Sequence, residues 1–275
     1  MINDLRKTFE MPGTVMLFDT HCHLSLLEGG GNDTLSIIQR AREWGVLSIL
    51  DISVGTGDFL KRRRLVEKIP AEIGVEVFMT AGIPPFYAGR RAECDLDEVK
   101  RQAELLERVI AVGEIGLDYF HDFGSRAEQV SLFNDQLDLA NELELPVVVH
   151  SRDSDEDLIE ALAGHRPVRG GIMHCFSSGV ETARRLLDMG FFLSFAGNVT
   201  YNRSDRIREA ARFAPSDRYC IETDAPYLAP GKYRGKANEP AHCAITAEFL
   251  AGVRKVGFDT LAEETTRNAK SALGL

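Results

Sequence analysis

The chain has 275 residues, 44% of them apolar, and a formal net charge of −10. That length buries one large core, no apolar run is long enough to cross a bilayer, and the acidic balance argues against a broad basic face that grips nucleic acid. Five cysteines, Cys22, Cys94, Cys175, Cys220 and Cys243, are odd in number and form no CxxC pair, which points to reduced thiols rather than a disulfide framework or zinc ribbon.

The start, Met1 to Glu10, mixes Asp4, Arg6, Lys7 and Glu10 with few apolar residues and lacks the apolar core of a secretion signal. Residues 1–14 therefore read as an extension ahead of one domain, 15–275, in a cytoplasmic protein. Short β-branched runs then alternate with amphipathic stretches. The pattern predicts strands over Val15–Thr20, Val46–Val54, Val75–Gly82, Ile110–Ile115, Pro146–His150, Gly170–Cys175, Phe191–Phe195 and Arg218–Thr223. Helices are expected between them over Asp33–Glu43, Gly57–Lys68, Asp95–Arg108, Ala127–Glu144, Asp155–Ala163, Thr182–Met189 and Asp205–Phe213. Two more, from about Ala241 and Thr260, finish the chain. In the longest, Val130, Phe133, Leu137 and Ala140 recur at helical spacing.

Eight strand-then-helix units predict an α/β fold, a single-domain (β/α)₈ TIM barrel, with a doubly wound open sheet as the competing arrangement. Barrel chemistry sits at the carboxyl ends of the strands. Metal-ligating residue types gather there: His21 and His23 after the first strand, Glu114 in the fourth, His150 after the fifth, His174 near the end of the sixth and Asp224 after the eighth.

Each has a physical reason. Side chains alternate along a strand, so His21 and His23 point the same way, and neutral imidazole suits borderline divalent metals. Cys22, between them, faces away and reads as a small packing residue behind the barrel wall, as does Cys175 beside His174. A buried Glu114 at a strand end is costly unless paired or metal-bound, and its two oxygens can bridge two cations. The flanking Gly113 and Gly116 allow close backbone approach. Asp118 reads as a supporting residue or loop cap, and Glu222 as a partner to a ligand. Asp224 can hold a metal and take a proton from its water, so Asp224 and Glu114 are the catalytic candidates. Arg152 offers a planar fork for phosphoryl oxygens. His121 is expected in a loop near the mouth, His165 exposed at a helix end, and His242 at a helix start.

On these residues the sequence resembles the TatD family of metal-dependent deoxyribonucleases, within the amidohydrolase superfamily. The matching motifs are DTHCHL (19–24), GEIGLDY (113–119), LPVVVHSRD (145–153), HCFSSG (174–179), LSFAGNVT (193–200), ETDAPYLAP (222–230) and RGKANEP (234–240). The resemblance implies one or two divalent metal ions (Mg, Mn, Zn or Ni). It implies His21, His23, Glu114 and Asp224 around one, and Glu114, His150 and His174 around the other. It also implies phosphodiester hydrolysis, as a 3′–5′ exonuclease on single-stranded DNA or DNA ends, or on a small phosphodiester.

The chain departs from the family after the third strand. A GxHPH-like stretch is usual there, but this chain reads Gly82-Ile83-Pro84-Pro85-Phe86. The missing histidines bear on substrate more than on metals. A family lysine after the seventh strand is Asn202 here, with Arg203 beside it as a substitute. The basic stretch Lys232, Arg234 and Lys236, with Tyr227 and Tyr233 able to stack on a base, supplies local contacts that a net-acidic chain otherwise lacks. Arg152, Arg203, Tyr227 and Arg234 are thus the substrate-binding candidates. Two other readings stay open: cleavage of another ester or amide, such as D-aminoacyl-tRNA, at the same site, and a non-catalytic metal-binding protein.

Overall fold

A computed structural model describes residues 16–27, 33–93 and 95–275. The expected extension, residues 1–14, together with Val15 and Cys94, lies outside the described residues. Eight parallel strands, each paired with the next in chain order, form a nearly closed barrel. They are β1 (Leu17–Cys22), β2 (Val46–Asp51), β3 (Glu76–Ala81), β4 (Val109–Asp118), β5 (Val147–Arg152), β6 (Gly171–Met173), β7 (Phe192–Phe195) and β8 (Tyr219–Ile221). The helices are α1 (Thr34–Glu43), α2 (Phe59–Ile73), α3 (Leu96–Leu105), α4 (Arg126–Glu142), α5 (Asp155–Gly164), α6 (Val180–Asp188), α7 (Asp205–Phe213), α8 (Cys243–Arg254) and α9 (Phe258–Leu273).

Two apolar layers hold this together. The outer one lies between strands and helices and includes Leu17, Cys22, Ile49, Val77, Ile115, Leu137, Val149 and Leu193. The inner one fills the barrel with Phe18, Leu50, Ala111, Val148, Ile172, Phe192 and Cys220. Ala269, Ala272 and Leu273 of α9 join the inner layer, so the last helix stoppers the end of the barrel opposite the site.

Element boundaries moved where local breakers yielded to packing. Helix α2 runs past Pro70 to Ile73, because Arg62, Val66, Ile69 and Ile73 form one buried stripe worth more than one lost hydrogen bond. It stops at Gly74, whose left-handed φ of 75° suits a C-terminal cap. Strand β4 extends past the expected end at Ile115, through Gly116 to Asp118. Gly116 has φ 142°, and a Cβ there would sit 2.0 Å from the His150 carbonyl oxygen. Glycine is what lets β4 and β5 touch at this point.

The seam between β8 and β1 differs from the other seven. Among the described residues it is a single bridge, Cys22 opposite Ala225, with Asp224 N–H donating to the His21 carbonyl at 2.8 Å and His23 N–H to the Ala225 carbonyl at 2.9 Å. Deeper in the barrel, side chains complete it. Fully buried Asp19 accepts from the Thr223 N–H at 2.8 Å and the Thr223 hydroxyl at 2.6 Å. Thr20 donates to the Ile221 carbonyl at 3.0 Å.

Asp19→Ala leaves the Thr223 N–H buried without an acceptor and is expected to cost about 1–3 kcal/mol in urea unfolding. Asp19→Asn keeps an acceptor and is expected to cost less than half as much. Equal losses would show that charge, not hydrogen-bond acceptance, closes this seam.

Candidate metal centre

Irregularities in two strands create the site. Between Asp19 and Cys22, β1 has one residue more than β2, since Asp19 pairs with Ile49 and Cys22 with Asp51. In β4, Gly113 pairs with Val148 and Ile115 with Val149, so Glu114 is the extra residue of a bulge. Bulges re-aim side chains. Here they turn His21 and Glu114 toward the barrel mouth. Asp224 arrives from the turn after β8 with a left-handed φ of 58°.

Two donor nests result, sharing Glu114. In the first, His21 Nε2 lies 3.3 Å from His23 Nε2 and 3.6 Å from both Glu114 Oε2 and Asp224 Oδ1. His23 Nε2 is 3.9 Å from Glu114 Oε2 and 3.6 Å from Asp224 Oδ1. In the second, Glu114 Oε1 is 2.8 Å from His150 Nδ1 and 3.6 Å from His174 Nε2, and these two nitrogens are 3.4 Å apart. The carboxylate thus points one oxygen into each nest.

The donors fit divalent cations. A tetrahedral ion with ligand bonds of about 2.0–2.1 Å sets donor–donor edges of about 3.3–3.4 Å. In the first nest the edges that involve His21 and His23, 3.3–3.9 Å, approach this, and the nest presents two imidazole nitrogens and two carboxylate oxygens. Burial and the neighbouring His174 push His21 down to about 3, which keeps it neutral with its lone pair available. Glu114 is buried, yet His174, His150 and His21 hold its carboxyl well below the usual range. Burial opposes protonation of His150, but Asp118 and Glu114 outweigh it and raise the imidazole to about 10.

The far nitrogens of three imidazoles are fixed, which orients them. His174 Nδ1 lies 3.0 Å from Glu222 Oε1, and the Cys175 N–H donates to the same oxygen at 2.8 Å. His150 Nε2 is 3.2 Å from Asp118 Oδ2. His23 Nδ1 faces the Ile52 carbonyl at 3.4 Å. Asp118 both supports His150 and caps its loop, accepting from the Phe120 and His121 N–H groups at 3.0 Å.

Several supporting residues were not singled out from sequence. Gln129 of α4 is buried and clamps the Asp118 backbone through both N–H and carbonyl at 2.8 Å. Arg62 is fully buried, donates to Asp51 Oδ2 at 2.7 Å and caps the Thr80 carbonyl. Asp51 in turn accepts from Leu24 N–H, fixing the turn after His23. The available signals were polar residues inside otherwise apolar helical stripes, at Arg62 and Gln129.

Other expectations resolve individually. Cys22 is fully buried in the outer layer, facing away from the nests. Cys175 is not behind the wall. Its φ of 47° turns it into the loop region, where it is half-buried and accepts from Asn198 Nδ2 at 3.4 Å. Burial raises both thiols well above their usual range, so neither offers a thiolate. Arg152 lies on the cavity rim with its guanidinium 3.9 Å from the Phe120 ring centroid. Tyr227 lines the cavity and is 53% exposed. Tyr233 is stacked on His242, centroids 4.4 Å apart. Arg203 is exposed and Arg234 covers Tyr201, and neither lines a cavity at the nests. His121 reaches Asp118 at 2.9 Å at the mouth, His242 precedes α8, and His165, expected exposed, is half-buried and bonded to Asp138.

Two measurements follow from this geometry. Glu222→Gln removes the charge behind His174 and is expected to weaken divalent-metal binding by about 10–100-fold in calorimetric titration. Unchanged affinity would mean Glu222 does not tune the ligand. In chelator-treated protein, His150 titrates at about 10 when folded, against about 6.5 unfolded. Its protonation stabilises the fold fully below pH 6.5, and that contribution is lost as pH rises through 10. The urea midpoint is expected to fall across that interval, and less steeply in Asp118→Asn.

Comparison with known proteins agrees with this architecture. Residues 18–274 match the family described as TatD related DNase. An uncharacterized metal-dependent hydrolase of Bacillus subtilis, YabD, is 37% identical over 257 residues, covering 93% of this chain and 98% of that protein. Its Escherichia coli K12 counterpart YcfH is 35% identical, covering 92% and 94%. The crystal structure of YjjV, a TatD homolog from Escherichia coli, superposes with a TM-score of 0.87 at 28% identity, covering 95% of this chain and 99% of that one. With a matching barrel and a His/Glu cluster able to hold metal at its mouth, this chain belongs to the TatD family of metal-dependent hydrolases.

Proposed function

We propose that the chain hydrolyses phosphodiester bonds, acting as a 3′–5′ exonuclease on single-stranded DNA or DNA ends. The observation that carries this reading is Glu114, whose two oxygens serve two donor nests. His21, His23, Glu114 and Asp224 would hold one divalent cation, and Glu114, His150 and His174 a second. Bound there, such cations supply the Lewis acidity that brings the pKa of water toward neutrality and offset charge on a phosphoryl group.

The residues divide the remaining work. Asp224 stands at the cavity edge of the first nest, where its carboxylate can take a proton from the attacking water. Arg152 lies beside His150, with its planar fork braced on Phe120, and is the candidate clamp for two phosphoryl oxygens. The nucleotide beyond the scissile bond would lie toward an adjoining polar cavity of about 650 Å³, whose lining mixes Arg126, Arg152 and Arg206 with Asp153, Asp155, Glu156 and Asp157. Its arginines offer phosphate contacts, while the positive field on this acidic protein would come from cations bound in the nests. That favours weak, end-directed contact over tight duplex binding.

A carboxylate from β4 joining the nests, rather than a lysine, favours the phosphoester side over amide hydrolysis. The direct test is metal-dependent turnover of single-stranded DNA, duplex DNA and bis(p-nitrophenyl) phosphate. Release of mononucleotides from the 3′ end is expected. Inactivity on all three with metal bound overturns the reading, and release of amino acid from D-aminoacyl-tRNA would redirect it to carboxylic esters. Asp224→Asn is expected to lose at least about a hundredfold in kcat. Full activity in that variant, with metal still bound, would reassign the base.

A further inference from the structure

The cavity over the nests, about 300 Å³, has two unlike sides. One carries the donors and Arg152. The other is apolar: Leu26, Val54, Pro84, Phe86, Phe123 and Tyr227. Pro84 and Phe86 occupy the positions at which the TatD-like pattern has histidines. A histidine there offers hydrogen bonds to substrate, whereas Phe86 offers only a ring.

This wall is built, not incidental. Fully buried Gln136 of α4 holds the loop that bears it, accepting from Ile83 N–H at 2.7 Å and donating to the Ile83 carbonyl at 2.9 Å. Ser53 donates to the Gly82 carbonyl at 2.9 Å. The loop after β4 is tied to the same segment, with Gly89 N–H donating to the Phe123 carbonyl at 2.8 Å. The two loops meet glycine to glycine: a Cβ on Gly124 would lie 2.6 Å from Gly89 N, at a φ of 112°. Phe86 and Phe123 pack edge to face with centroids 6.1 Å apart, and His121 stacks on Phe123 at 4.9 Å. Phe86 also packs on Tyr87, centroids 4.5 Å apart, and is half-buried while lining the cavity. Tyr227, also on the cavity lining, stands edge-on to His23.

We propose that Phe86, backed by Phe123, is a specificity-determining stacking surface for the nucleobase adjoining the bond that is cut. The inference rests on the phosphodiester reading above. A rigid apolar surface beside a polar centre gains most from a flat group attached near a phosphate, and a nucleobase one sugar away meets that description. Base stacking is sequence-tolerant, because every base has a π-face. The surface therefore selects for the presence of a base and not for its identity.

The test compares metal-loaded protein on two single strands, one with a normal 3′-terminal nucleotide and one ending in a tetrahydrofuran abasic residue. Wild-type protein is expected to favour the intact end by on the order of tenfold or more in kcat/KM. Phe86→Ala should lose most of that preference while its rate on the abasic strand stays within about twofold of wild type. Phe86→Leu, which keeps apolar bulk without a ring, should also lose it. Equilibrium binding gives a second readout: a strand ending in 2-aminopurine should be quenched by Asp224→Asn protein and not by the Asp224→Asn, Phe86→Ala double variant. Equal rates on the two strands in wild type, or an equal loss on both in Phe86→Ala, overturn the stacking surface alone. No cleavage of either strand overturns the phosphodiester reading and the surface with it.

Discussion

Everything at the mouth of this barrel is organised around one buried carboxylate. Glu114 sits in the wall of a parallel sheet, where an uncompensated negative charge is very costly. In the protein alone its compensation comes chiefly from His174 and His150, with His21 and His23 within 4 Å on the other side. They reach it from three different strands or strand ends. The cost of leaving that charge unmatched constrains the strands as much as the ligands. Strand β4 must bulge to aim the side chain, and Gly113 and Gly116 must be bare so that β5 can approach on either side of it.

The next layer outward holds these groups still. Glu222 and Asp118 each take one nitrogen of a histidine, and their own geometry is set by backbone donors. Two glutamines of α4 then do the same job twice. Gln129 fixes the backbone at Asp118, and Gln136 fixes it at Ile83, seven residues and nearly two turns away on the same helix face. One helix therefore positions both the carboxylate behind His150 and the loop that carries Phe86. The arrangement ties the polar centre and its apolar wall to a common rigid element, which is where precise sites are expected to rest.

The acidic net charge and a phosphodiester substrate are compatible on this account because the relevant field is local. The adjoining cavity carries acids as well as arginines: Asp155 accepts from Ser178 and Thr182, Asp157 from Tyr119, and Glu156 pairs with Arg185, so any positive field there would come from bound cations. Arg152 stands at the junction of the two cavities. Long-range attraction to a duplex is weak in such a protein, and short-range geometry carries recognition.

Much of this was legible in the sequence, for identifiable reasons. The alternation of β-branched runs with amphipathic helices gives the strand count and a parallel α/β sheet, because a parallel sheet needs a crossover after every strand, and the gathering of ligand residue types at strand ends favours the barrel over an open sheet. The periodicity of two puts Cys22 away from His21 and His23, and strand ends locate the six candidate ligands. What only the tertiary structure decided depends on contacts remote in sequence. The division of Glu114 between two nests follows from a bulge that no local pattern announces. Cys175 turns out of the wall because its backbone adopts a left-handed turn to reach Glu222, 47 residues on. Arg203 and Arg234, plausible by composition, stay away from the nests, while Phe86, read first as an absence of histidine, becomes part of a wall once Gln136 and Phe123 are brought to it. Sequence periodicity determines which face a side chain takes, and only packing across the barrel determines what it meets there.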